Sequence, residues 1–104
     1  MYAIIRRFDQ MRSVEEAGRR AMAGLGPMLR EAPGFRGYYV INSGNDSGMS
    51  ISLFDTREAA ETAHQQALGW IRQNLADLTQ GEPQVFAGEV VGSVAGASST
   101  SAAA

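Results

Sequence analysis

FRGYYVINSGNDSGMSISLF, residues 35–54, consists of two apolar runs around one polar cluster, and its reading decides the fold. Phe35 to Asn42 is rich in Phe, Tyr, Val and Ile, residues that suit a pleated, half-buried surface. Ser43-Gly44-Asn45-Asp46-Ser47-Gly48 is a turn cluster of the length that closes a hairpin. Met49 to Phe54 then alternates Met49, Ile51 and Leu53 with Ser50, Ser52 and Phe54, the period of a strand. The centre of the chain is a β-hairpin.

Each arm of the hairpin is flanked by a helix and then a strand. Upstream, Ser13-Val14-Glu15-Glu16 has the form of a capping box. Val14, Ala17, Gly18, Ala21, Leu25, Met28 and Leu29 follow at helical spacing. Gly24 and Gly26-Pro27 disfavour helix, so the pattern predicts a helix over 14–31, bent or interrupted near Gly26-Pro27 and stopped by Ala32-Pro33-Gly34. Tyr2 to Phe8 has no breaker and reads as the first strand. Downstream, Asp55 and Glu58 again have capping-box spacing, opening a helix to about Leu78 that Gly81-Glu82-Pro83 breaks. Gln84 to Val94 is the last strand, and residues 95–104 are an Ala/Ser/Thr/Gly stretch that reads as a flexible tail. The order is β-α-β-β-α-β, an α+β, ferredoxin-like domain over residues 1–94 with one antiparallel sheet and two helices on one face.

In that arrangement the sheet face away from the helices should be polar if it meets water. Both faces are apolar instead. The second strand carries Phe35, Tyr39 and Ile41 at one parity and Tyr38 and Val40 at the other. The first has Ile4 and Phe8 against Ile5, and the last has Val85 and Val91 against Phe86 and Val90. A second copy stacked sheet to sheet is the economical cover, so a homodimer is expected.

Composition removes several function classes. The net charge is −2, and all nine cations are Arg, scattered along the chain, which disfavours nucleic acid or an anionic membrane as partner. There is no Cys and only one His, so thiol chemistry, zinc–thiolate sites and histidine-rich metal clusters are not expected. No run approaches the roughly 18 apolar residues of a membrane span. The first charges follow a short apolar run, the wrong order for a secretory signal, and the expected location is cytoplasmic. Without Lys the glycines make no phosphate-cradling loop, and no Ser sits in a nucleophile elbow.

The Pro33-Gly34-Phe35 turn into an aromatic strand, together with Ile51-Ser52-Leu53-Phe54-Asp55-Thr56-Arg57-Glu58-Ala59-Ala60, resembles the dimeric α/β-barrel superfamily and within it the antibiotic biosynthesis monooxygenase-like group. The resemblance covers roughly residues 2 to 94. It implies a small homodimeric domain that binds or oxidises a hydrophobic small molecule between sheet and helices without a cofactor. Oxygenases of the group line that cavity with an Asn, a Trp and often a Tyr or Arg. Haem-degrading relatives add a His on the second helix to an Asn on the first strand and a Trp. Here Tyr2 to Phe8 holds no Asn and Trp70 lies in the second helix, so the haem-degrading pattern is not matched. The group also contains proteins without known activity, so a non-catalytic dimeric stress-associated or assembly module is the alternative.

The candidate site residues are few. His64 is the one side chain that titrates near neutrality unperturbed, and at about 100° per residue it falls inside the apolar stripe of Ala60, Ala67, Ile71 and Leu78. It is either a packed histidine with one hydrogen-bond partner or a cavity group acting as base or ligand contact, and it is the catalytic candidate. Trp70 lies on the flank of the stripe, where an indole covers a core edge with its N–H free to pair. Of Tyr38 and Tyr39 one must face the helices, and Tyr39 shares parity with the more apolar set. Arg6 or Arg7 must point inward, and a buried Arg needs a carboxylate, for which Glu89 is the natural candidate, or an anionic ligand. Tyr39, Trp70 and Arg6 are the substrate-binding candidates. No metal ligands are expected.

Overall fold

A computed structural model describes residues 1–96. It contains β1 (Tyr2–Phe8), α1 (Val14–Arg20), a π-helical segment (Ala21–Leu25), α2 (Gly26–Arg30), β2 (Phe35–Gly44), β3 (Ser47–Phe54), α3 (Arg57–Asn74) and β4 (Gln84–Glu89). The four strands form one antiparallel sheet in the order β2-β3-β1-β4, the ferredoxin-like topology expected.

Asn45 and Asp46 close the hairpin, with φ of 54° and 62°. Two successive left-handed residues make the tight turn whose twist matches paired strands, and Asn and Asp tolerate that conformation. The polar cluster is therefore mostly strand, with Gly44 opposite Ser47.

The first helical stretch begins where Ser13 Oγ accepts the Glu16 N–H at 3.1 Å. Glu16 itself turns to Arg19 and Arg20, leaving the capping box half made. The expected interruption is a π-helical turn, with the Gly26 N–H donating to the Ala21 carbonyl five residues back. Pro27 offers no N–H and its ring crowds the carbonyl four residues before it, and a widened turn relieves that conflict. In α3 the cap is Thr56 and not Asp55: Thr56 Oγ1 accepts the Ala59 N–H at 3.1 Å, while Asp55 is held by Arg36. The helix ends at Asn74, but Leu75 and Leu78 stay buried through the following turns. β4 stops at Glu89, five residues before the expected end, and Val91 and Val94 are exposed. Most of the stretch read as a tail, 97–104, lies outside the described residues.

Leu25, Leu29, Phe54, Ala60 and Ala67 form the centre of the core between helices and sheet. Phe35 meets Phe54 edge to face, with ring centroids 5.7 Å apart. A register shift between Phe35 and Gly37 is decisive for β2. The extra residue of a β-bulge reverses parity, so Phe35, Tyr38 and Val40 pack against the core while Tyr39 is turned out.

On the face away from the helices, Tyr39, Ile51, Ile5 and Phe86 are successive register partners. They form an apolar row across all four strands, with Ile41, Met49 and Leu53 on the same face. Tyr39 is 57% and Phe86 53% exposed in the single chain.

Candidate functional site

Strand parity decides the site. Ile4, Arg6 and Phe8 point toward the helices and Arg7 points away, so the guanidinium of Arg6 enters the interior, where it is fully buried. Its register neighbour on β3 is Ser50. Arg6 Nη1 donates to Ser50 Oγ and to Ser52 Oγ, each at 3.1 Å, and Arg6 Nε donates to His64 Nδ1 of α3 at 3.1 Å. Nη2 is buried and has no hydrogen-bond partner among the described residues. Tyr38 joins from β2, opposite Ser52 in the register and in side-chain contact with Ser50.

The acceptors around Arg6 are all neutral. Glu89, the carboxylate expected to pair with it, instead takes the N-terminal ammonium at 3.3 Å. The register explains the miss: Glu89 faces Tyr2 and Val85 faces Arg6, so Glu89 sits four residues away, about 13 Å along the sheet. The other described carboxylates pair with surface arginines or stand exposed. A buried cation without a counterion costs on the order of several kcal/mol. Burial pulls the Arg6 pKa down, partly countered by Tyr38. Burial also raises the Tyr38 phenol, so it stays a neutral hydroxyl.

Because His64 Nδ1 accepts from a cation, its hydrogen resides on Nε2. Burial first, and then the positive charge of Arg6, lower its pKa from the ordinary value of 6.5. The ring is a neutral group with one N–H to offer, and its basic nitrogen is already engaged. Chemically it suits a hydrogen-bond donor better than a general base.

A small, partly open cavity of about 30 Å³ lies between helices and sheet. It is bordered by Phe8, Met11, Ala21, Leu25, Ile71 and Leu75, and by Tyr38 and Ser50 on its polar side. That volume holds one or two waters. A cleft of about 450 Å³ runs along the outside of the β2 edge and is also lined by Tyr38. Val14, Tyr38 and Val40 line both and form the wall between them.

Arg6 and His64 come together as one cluster. Tyr39 does not join them, because the bulge hands its inward place to Tyr38. Trp70 does not join either: its indole covers Gly24 of the π-helical segment, where a Cβ would lie 2.7 Å from Trp70 Cζ2. Six residues from His64, Trp70 points about 120° away around the helix. Tyr38 is the one of the two tyrosines that faces the helices, where the sequence favoured Tyr39, and Ser50 and Ser52 escape sequence reasoning. The one available signal is that both serines share the parity of Phe54, which a core-facing β3 would bury. Among the described residues, no group of three or more His, Cys, Asp or Glu could hold a metal ion.

No protein-family model matches the chain, and no curated protein matches it. Solved structures do. A monooxygenase from the gene ActVA-Orf6 of Streptomyces coelicolor, in complex with nanaomycin D, superposes with a TM-score of 0.73 at 16% identity, over 92% of each chain. The chain shares the fold of that monooxygenase. SnoaB, a cofactor-independent oxygenase from Streptomyces nogalater, shares this fold at a TM-score of 0.70 and 14% identity, over 89% of this chain and 95% of SnoaB. NE2512 of Nitrosomonas europaea, a protein of unknown function, shares it at 0.72 and 17%, over 93% of this chain and 95% of that one. No helix among the described residues is long and apolar enough to cross a membrane.

Proposed function

We propose that this protein is a cytoplasmic homodimer that takes an apolar small molecule into the space between sheet and helices, as a cofactor-independent, monooxygenase-like binding or oxidising domain. One observation carries the reading: the apolar cavity ends on Tyr38 and Ser50, and Ser50 also bonds the buried Arg6. An apolar chamber ending in a few convergent polar groups is the usual form of a small-molecule site. The likeness to an oxygenase that holds nanaomycin D supports it.

Thirty cubic ångströms is too little for such a ligand, so uptake requires the chamber to widen. Ala21 and Leu25, on its helical wall, belong to the π-helical segment, whose backbone is the least regular part of that wall. We assign the opening to this segment together with rotation of Tyr38, which would join the outer cleft to the chamber. His64 would then offer its Nε2–H to the ligand. The apolar row Tyr39–Ile51–Ile5–Phe86 would be the dimer face.

The small chamber favours a second reading, a non-catalytic dimer with a filled core, because His64 does not line it. Native mass spectrometry of freshly purified protein separates the two. A dimer carrying a co-purified organic molecule supports the first. A ligand-free dimer that takes up no apolar probe supports the second, and a monomer at micromolar concentration overturns the sheet-to-sheet pairing in both.

A further inference from the structure

We infer that the site selects an ionised oxygen acid with an apolar body, whose anionic oxygen is received by Arg6 Nη2; this rests on the ligand-binding reading above. Arg6 is fully buried, and three of its donor contacts are spent on His64 Nδ1, Ser50 Oγ and Ser52 Oγ. Each of those acceptors is neutral, so each satisfies a hydrogen bond and none balances the charge. Nη2 retains both N–H groups in the buried cluster. Among the described residues no carboxylate pairs with it, and Glu89 is committed to the N-terminal ammonium.

A guanidinium fixed in this way is a preorganised receptor for an anion, which it would hold by a short charge-assisted hydrogen bond. Nε and Nη1 are both occupied, so the fork is closed and recognition comes from one nitrogen. Ser50 borders both the guanidinium and the chamber, which fixes the ligand's polarity: apolar body among Met11, Leu25 and Ile71, anionic end toward β3. A neutral ligand of the same shape would fill the chamber and leave Arg6 as it is. The site therefore discriminates by charge as well as by shape.

Matched probes test this on the full-length protein. Octanoate and octanamide share their apolar chain and differ in the charge of the head group. Titration calorimetry at pH 7.5 and constant ionic strength is expected to give octanoate at least about tenfold tighter than octanamide, a difference of 1.4 kcal/mol. In Arg6→Met the preference falls to near unity, and in Arg6→Lys part of it survives because the charge is retained. If Arg6→Met does not fold, the comparison of the two probes on the unaltered protein still decides the matter. Equal affinities for the two probes overturn the anion assignment and leave the apolar site standing. Binding of neither overturns the ligand-binding reading as well. Chloride that binds alone and displaces octanoate at millimolar concentration overturns the assignment of an organic acid.

Discussion

At the middle of β3 the two faces of the sheet invert the usual pattern. The strand's inward positions Ser50 and Ser52 are polar and buried, while its outward positions Met49, Ile51 and Leu53 are apolar and only half-buried. An antiparallel sheet with one wet face normally does the opposite. The inner polarity follows from Arg6, since a buried guanidinium needs acceptors and the serines are its register neighbours. The outer apolarity has no such cause among the described residues. One face reads as a site and the other as a surface for a second copy.

The sharpest way to break that comparison is to charge the outer face. Ile51 sits in the middle of the apolar row, between Ile5 and Tyr39. Ile51→Glu is expected to weaken self-association by at least about thirtyfold, roughly 2 kcal/mol, because the two-fold axis places the charge in the interface twice. Sedimentation velocity measures the shift, with circular dichroism confirming an unchanged fold. An unchanged dimer would show that the copies meet elsewhere.

The next effect lies one position along the same strand. Ser52→Ala adds no bulk and removes an acceptor from Arg6, so it should cost about 1–3 kcal/mol in urea denaturation. Ile51→Ser, a larger chemical change on the outer face, should cost the isolated monomer less. If Ile51→Ser proves the more damaging, the inner cluster is not what the inversion protects.

How much of this was legible depended on where the period stayed regular. β1 and β3 keep strict alternation, so Arg6 could be narrowed to one of two arginines, and the apolarity of both faces was visible. β2 does not keep it. The bulge between Phe35 and Gly37 inserts one residue and exchanges the faces of Tyr38 and Tyr39, and nothing in Phe35-Arg36-Gly37 marks it apart from a glycine. The Arg6–His64 contact joins a strand and a helix 58 residues apart. No local pattern encodes it. The π-helical turn was half legible, since Gly26-Pro27 announces a disturbance without its form.

That turn gives the third prediction. Gly24→Ala gains about 1 kcal/mol of helix propensity but sets a Cβ 2.7 Å from the Trp70 ring, a clash costing about 1–3 kcal/mol. The net expectation is a loss of about 1 kcal/mol, with a red-shifted emission from the single Trp as the indole moves outward. A stabilised variant with unchanged emission would mean that the ring yields freely and that the π-helical wall is loosely packed.

The smallest effect is a pH dependence carried by His64. Its pKa is lowered in the fold, by burial and then by Arg6, from 6.5. A depressed pKa means that the unfolded chain takes up the proton first. His64 therefore contributes stability above about pH 6.5, and this is lost progressively as the pH falls toward the lowered folded value. Glu16 does not interfere, because its pairing with Arg19 and Arg20 holds it at about 2, and its own loss begins only below its ordinary value of 4.5. His64→Gln can still accept from Arg6 Nε and does not titrate, so it isolates the proton. Urea midpoints measured between pH 7.5 and 5 should fall for the unaltered protein and stay nearly level for the variant. Parallel profiles would show that His64 is protonated without penalty in the fold, and hence that neither burial nor Arg6 holds its proton off. Saturating octanoate should flatten the profile of the unaltered protein in part: an anion beside the guanidinium offsets the charge of Arg6 and leaves the larger effect of burial.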